Sequence, residues 1–229
     1  MILTFAIAVL PSIILGFFVY KKDILEKEPI GLILKLFLLG SSTILPAVIL
    51  ENIMTSLLPE TPNQILNYFT LSFFGIALIE ELLKAAIVYE IAWKNKNFNH
   101  IYDGIVYCVF ASLGFATLEN ILYVFTYGNI TGILRAIVSV PGHAFFGVTM
   151  GYYMGFAKYN EHIVNKPKKV KNIILSLTLP VIFHGLFDFL LLTNNEIMII
   201  IFFIFVLVLY IISYLKIKKL SRVMNMLPN

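Results

Sequence analysis

Seven apolar stretches, each long enough to cross a bilayer, take up most of this 229-residue chain: residues 2–20, 31–50, 66–92, 101–125, 133–157, 172–193 and 197–216. A helix needs roughly 17–25 mostly apolar residues to span the hydrocarbon layer. The composition agrees, with 59% hydrophobic and 13% charged residues and a mean hydropathy of +0.89. Soluble domains run at about 45–50% apolar and about 25% charged, so this chain has too few charges to coat a soluble surface. The expected fold class is all-α: a polytopic transmembrane helix bundle of about seven spans, forming a single domain over 1–229.

The first stretch, MILTFAIAVL, has no basic residues ahead of it, and Lys21 and Lys22 come after it. A cleaved signal peptide shows the reverse order, so this stretch reads as a retained span. Asn194, Asn195 and Glu196 supply the polar break between the last two spans. The single cysteine, Cys108, lies in an apolar run and allows no intrachain disulfide.

The net charge of +4 reports loop topology rather than a nucleic-acid partner. Basic residues cluster at Lys21, Lys22 and Lys27, at Lys94 and Lys96, at Lys158 with the loop lysines 166–171, and at Lys216, Lys218, Lys219 and Arg222. With seven alternating spans all four clusters fall on one side, and Glu51, Glu60, Glu196 and the single Arg135 fall on the other. By the positive-inside rule the N-terminus is expected outside and the C-terminus in the cytoplasm.

The informative residues are those a bilayer should exclude. Glu80, Glu81 and Lys84 lie in the third stretch, Glu119 in the fourth, His143 in the fifth, and His184 and Asp188 in the sixth. Each charge at a helix centre costs on the order of 2.5–3.5 kcal/mol on the insertion scale, so such groups should meet one another or a wet cavity. Their depths overlap, with Glu80 and Glu81 about 20 Å from the outer end of their helix at about 1.5 Å per residue. Glu80 and Lys84 have the i,i+4 spacing and order of a favourable pair, which predicts that Lys84 holds one carboxylate and leaves the other free. Asp188 stands one turn from His184 and can orient its imidazole.

Glycines 114, 142, 147, 151, 155 and 185 punctuate the same spans, and small residues permit close helix approach or leave room for a peptide. Asn120 is either a helix-packing amide or an oxyanion donor, and Asp103 reads as a helix-start residue.

Hydrolysis of a peptide bond needs an activated water, an acid for the leaving amine and an oxyanion stabiliser. A buried carboxylate can activate water, and so can a zinc ion held by His143, His184 and one or two carboxylates, with Glu81 and Glu119 as the candidates. The compact zinc signature H-E-x-x-H is absent, and no hydroxyl sits in a nucleophile turn. A proton- or ion-coupled transporter could use the same buried acids and imidazoles, although no internal repeat is visible. A non-catalytic assembly factor, with the polar groups as helix glue, is a third alternative.

The motifs resemble those of the PrsW family of intramembrane proteases and, more distantly, the CAAX-prenyl-protease and bacteriocin-processing superfamily. The Glu-Glu-x-x-Lys helix is matched by Glu80, Glu81 and Lys84, and the Phe-x-x-x-Glu-Asn helix by Phe115, Glu119 and Asn120. The isolated histidine is matched by His143, the His-x-x-x-Asp helix by His184 and Asp188, and Asp103-Gly104 also fits. The matching core covers about 66–192.

The resemblance implies a multi-pass peptidase of the bacterial cytoplasmic membrane. Its substrate would be a single-pass membrane protein, cut near the outer face, in the first cleavage of an anti-sigma factor during stress signalling. It implies Glu80, Glu81, Glu119, His143, His184 and Asp188 as catalytic candidates, with Lys84 and Asn120 supporting. The family has been classed as a metallopeptidase and the wider superfamily argued to use a glutamate without metal, so zinc and a metal-free glutamate both stand as expectations.

Overall fold

The computed structural model describes residues 2–221, and every regular element is helical. The expected closing basic residue Arg222 lies outside the described residues. Six helical stretches among the described residues are long and apolar enough to cross a membrane. The seventh expected span is the run Gln64–Ala92, whose apolar character is interrupted by Glu80, Glu81 and Lys84.

Helix α1 runs Ile2–Lys22, and α2 (Ile30–Ser42) continues into α3 (Ile44–Leu57) through a break at Thr43. Pro46 lies just beyond the break, and proline has no N–H to give to an earlier carbonyl. The next run comprises α4 (Gln64–Thr70), a π-helical segment Leu71–Ala77 and α5 (Leu78–Ala92), started by Asn63, whose side chain accepts from the Ile65 and Leu66 amides. Helix α6 covers Ile101–Tyr127, α7 Asn129–Ile137, α8 Ser139–His162, α9 Lys166–Leu192 and α10 Glu196–Leu220.

Two expectations are corrected. The stretch 133–157 is not one helix, because the chain breaks at Val138 into the short α7 and the long α8. The lysine-rich segment 166–171 is not a loop: Asn165 accepts from the Lys168 amide, Pro167 sits in the first turn, and the segment is the start of α9. A proline there loses no helical bond, because the first amides of a helix have no internal partner. The break at 193–196 is present, with Asn194 at φ 46° and the Asn195 side chain capping α10.

Helix α6 is the central element. Residues 101–117 are buried at every position except Phe110, as suits a helix that is apolar on all sides. It packs on α8, α2 and α1, and glycines set how closely. A Cβ on Gly151 would run into the Gly104 carbonyl, one on Gly155 into the Ile101 carbonyl, and one on Gly40 into the Ala111 carbonyl. Of the two roles open to these glycines, α8 uses Gly147, Gly151 and Gly155 for close backbone approach to α6. The large apolar side chains of α1 and α10 face outward instead, as lipid-facing helices do.

One end of the bundle gathers basic groups from separate segments. Lys158 Nζ donates to the Trp93 carbonyl, Lys169 lies over the Trp93 ring, and Asn99 bonds Glu26 across two loops. Here Asp103 starts α6, accepting from the Asn99 and His100 amides, and so has the helix-start role expected of it. In the loop between α1 and α2, burial raises Asp23 to about 6 and Glu28 to about 7, with Lys27 and Tyr107 opposing the shifts.

Two outcomes follow from this packing. Gly151→Val forces α8 off α6 at a cost of at least about 1–3 kcal/mol, lowering the thermal unfolding midpoint in detergent, whereas Gly31→Ala, with open space at the Cβ, leaves it unchanged or higher. The second concerns pH. Acids whose folded pKa lies above the unfolded value bind more protons when folded. In metal-free buffer the midpoint should fall as pH rises from about 4, near the free carboxyl values, through about 7, where Glu28 ionises. Glu28→Gln should flatten that profile.

Candidate active site

The apolar bundle closes around one polar network drawn from helices α5 to α9. The π-helical segment ends directly before Leu78, so Glu80, Glu81 and Lys84 occupy the first two turns of α5. Such segments shift the helical register by bonding five residues apart and recur at functional sites. Gly185 of α9 lies against the Phe73 ring of this segment, with no room for a Cβ, which brings α9 and its His184 close.

Lys84 is the hub and is wholly buried. Its Nζ donates to Glu80 Oε2 at 2.9 Å, to Glu81 Oε1 at 2.8 Å and to His143 Nδ1 at 3.2 Å. An ammonium has three protons and no acceptor, so all three are used and His143 carries its own proton on Nε2. That Nε2 lies 3.0 Å from Glu119 Oε2 and donates to it. The Phe115 ring, one turn before Glu119, sits under Lys84 with its centroid 4.2 Å from Nζ. The expectation that Lys84 pairs with one glutamate and frees the other is therefore corrected: both are held, because i,i+3 and i,i+4 neighbours share one face of the helix.

The second imidazole completes the network. His184 Nδ1 lies 3.0 Å from Glu81 Oε1, and its Nε2 lies 3.4 Å from Asp188 Oδ2. Its ring stacks on Phe146 with centroids 4.8 Å apart, so position and tilt are both fixed. The two histidine rings are 5.3 Å apart.

A cavity of about 350 Å³ opens beside this network. Glu80, Glu119, His143, His184 and Asp188 line it, whereas Glu81 and Lys84 do not. The adjacent glutamates thus occupy different positions. Glu80 faces the cavity, and Glu81 lies behind it as the acceptor that holds His184 and Lys84. Asp188 is the most open of the network's carboxylates, with 20% of its side chain exposed, against 16% for Glu119 and 6% for Glu80.

Asn120 does not join. Its Nδ2 donates to the Ala8 carbonyl of α1 at 3.1 Å, and it is a packing amide. Arg135, Tyr123 and Glu51 are among the cavity residues that had not been picked out as site residues from the sequence. Arg135 of α7 reaches Glu119 Oε2 at 2.6 Å and lies over the Tyr123 ring, and Glu51 of α3 also lines the wall. Arg135 had a signal, as the one basic residue among acids on its side of the chain. Glu51 and Tyr123 carried none, because they sit at span ends where polar groups are ordinary.

A family model described as PrsW family intramembrane metalloprotease matches residues 28–214. Protease PrsW of Clostridioides difficile (strain 630) is 35% identical over 219 residues, which cover 94% of this chain and 90% of that protein. Protease PrsW of Oceanobacillus iheyensis is 36% identical over 215 residues, 93% of each chain. Protease PrsW of Bacillus subtilis (strain 168) is 36% identical over 181 residues, 79% of each. No solved structure matches the chain.

A metal would find suitable donors here. One ligand atom each from Glu80, Glu81, His143 and His184 lie within 4.8 Å of one another. Two imidazole nitrogens and two carboxylates are a donor set that zinc accepts. The expected set of His143, His184, Glu81 and Glu119 changes in one member: Glu119 is outside the group, paired with Arg135 and His143, and Glu80 takes its place. Charge also fits. Among the described residues, Glu51, Glu80, Glu81, Glu119 and Asp188 face only Lys84 and Arg135 as permanent cations, and Glu81 Oε2 has no donor.

Lys84 Nζ contacts three of the four donor residues, so ammonium and metal compete for the same lone pairs. Removing one partner of a buried ion pair costs about 3–5 kcal/mol. Lys84→Met should therefore unfold earlier than the parent without metal, and zinc should raise its midpoint more than it raises the parent's. Equal zinc responses in calorimetry would exclude the competition.

Proposed function

The chain belongs to the PrsW family of intramembrane metalloproteases, and from that premise we propose that it cuts a single-pass membrane protein near the outer membrane face, as the first cleavage of an anti-sigma factor. The observation that carries this reading is the convergence of carboxylates and imidazoles from separate helices on one cavity within an apolar multi-pass bundle. Membership in a protease family answers the transporter and assembly-factor alternatives.

The cavity's rim supports a lipid-borne substrate. Val48, Leu122, Leu191 and Leu192 line the cavity while remaining 37–47% exposed, so its mouth is bordered by apolar side chains that face lipid. The site also lies toward the C-terminal ends of α6 and α9, away from the end where Lys158 and Lys169 meet Trp93. With the basic end in the cytoplasm, the cavity opens in the outer half of the bilayer.

A division of labour follows from position. Glu80, Glu81, His143 and His184 would hold a zinc ion, which when bound polarises the scissile carbonyl and makes a bound water more acidic. Asp188, open to the cavity and one turn beyond His184, takes a proton from the attacking water and returns it to the leaving amine. Glu119 is committed to Arg135 and His143, and anchors both. Arg135 lines the cavity wall, where its guanidinium can meet an oxyanion. Phe146 and Phe115, in the cavity wall, pack against the His184 and His143 rings.

The test is cleavage of a single-pass anti-sigma-type protein by the purified chain in liposomes, with and without a chelator. Asp188→Asn should lower kcat by about 10²–10⁴-fold, the range for a general acid–base group, with zinc content unchanged. Glu80→Gln and His184→Gln should lose zinc and activity together. Normal cutting by Glu80→Ala, Glu81→Ala and His184→Ala, all correctly inserted, would end this reading, and products cut near the cytoplasmic face would reverse the orientation.

A further inference from the structure

A second group of buried acids lies at the opposite end of the molecule from the cavity. Asp23 and Glu28 come from the loop between α1 and α2, and Asp103 from the first turn of α6. One carboxylate oxygen from each lies within 4.8 Å of the other two, and the three residues are 3%, 2% and 0% exposed. Their surroundings differ from those of the active-site acids. Among the described residues no lysine or arginine nitrogen lies within 4.0 Å of any of these carboxylates, and the one histidine nitrogen in range is His100 Nδ1, 3.9 Å from Asp103 Oδ2. Lys27, the nearest ammonium in the loop, spends its protons on the backbone carbonyls of Tyr20, Lys21 and Asp23.

The hydrogen bonds leave specific lone pairs over. Asp103 Oδ2 is fully engaged by the Asn99 and His100 amides. Asp103 Oδ1 and Asp23 Oδ2 are buried with no donor among the described residues. One Asp103 oxygen lies within 4.8 Å of an oxygen each from Asp23 and Glu28, so the unpartnered Oδ1 borders the group. The Tyr107 hydroxyl contacts both Glu28 Oε2 and the Asn97 carbonyl, yet has one proton to divide between them. Bare carboxylate oxygens this deep are costly unless a cation or protons meet them.

We propose that Asp23, Glu28 and Asp103 form a site for a hard divalent cation of the calcium class, separate from the active site. The donors are all oxygen, which suits calcium or magnesium. The catalytic group carries two imidazoles and suits zinc. An ion bound there would clamp the α1–α2 loop to the start of α6, the helix that carries Glu119 at its other end. The competing account is that the three carboxyls share protons and bind no ion.

Terbium, an oxygen-seeking stand-in for calcium, separates the two accounts without any protease assay. The full chain in detergent is titrated with Tb³⁺ under tyrosine excitation, since Tyr107 touches Glu28 and Tyr102 neighbours Asp103 in sequence. Saturable, tyrosine-sensitised emission that calcium displaces is expected. It should weaken at least about tenfold in affinity in Glu28→Gln and in Asp103→Asn, because ligand charge sets affinity at such sites. Asn at 103 can still accept from the His100 amide, so the helix start survives. Glu81→Gln, in the other cluster, should bind like the parent, and calcium should raise the parent's unfolding midpoint but not that of Glu28→Gln. Absence of sensitised emission, or equal emission from parent, Glu28→Gln and Asp103→Asn, would overturn the proposal in favour of shared protons.

Discussion

The ammonium of Lys84 is the interaction on which the rest of the site depends. It lies inside an apolar bundle, gives one proton each to two carboxylates and an imidazole, and rests on the face of Phe115. Those bonds fix where Glu80 points, hold Glu81 as the support for His184, and decide which nitrogen of His143 carries the proton toward Glu119. A lone charge at that depth would be expelled or neutralised. This one persists because its partners arrive from two helices at hydrogen-bonding distance, and the same lone pairs are those a metal would need.

Those partners meet because the helices approach unusually closely. Helix α8 lies against α6 through Gly147, Gly151 and Gly155, and α2 meets the same helix through Gly40 and Gly114. In a bilayer little hydrophobic force pulls helices together, so backbone approach and van der Waals contact must do it. His143 sits one turn before Gly147, so the packing that joins α8 to α6 also places His143 beside Glu119. On the far side, Gly185 against Phe73 does the same for α9 and His184.

The two buried polar clusters handle negative charge differently. Near the cavity, acids are shared out among Lys84, Arg135 and the imidazoles, and a continuous chain of contacts runs from Arg135 to Asp188. At the basic end, Asp23, Glu28 and Asp103 are packed together with tyrosines and backbone amides, and the lysines nearby face carbonyls, aromatic rings and Glu161 instead. The first arrangement keeps polar atoms accessible to a substrate. The second joins two loops to the start of a helix.

By itself the sequence determined that the chain is a multi-pass helical protein, because uninterrupted apolar stretches of that length have few other uses. It also picked out Glu80, Glu81, Lys84, Glu119, His143, His184 and Asp188, because each is costly in hydrocarbon and must find a partner. Tertiary structure alone decided who those partners are. Spacing put Glu80 and Glu81 side by side, yet which of them faces the cavity depends on how α5 is rotated after the π-helical segment. Nothing local indicated that Asn120 would turn to Ala8, or that α7 would break away at Val138 and carry Arg135 over Glu119. Sequence period fixes neighbours along one helix. Contacts across helices depend on rotation and approach, which are set by small residues, breaks and packing far away in the chain.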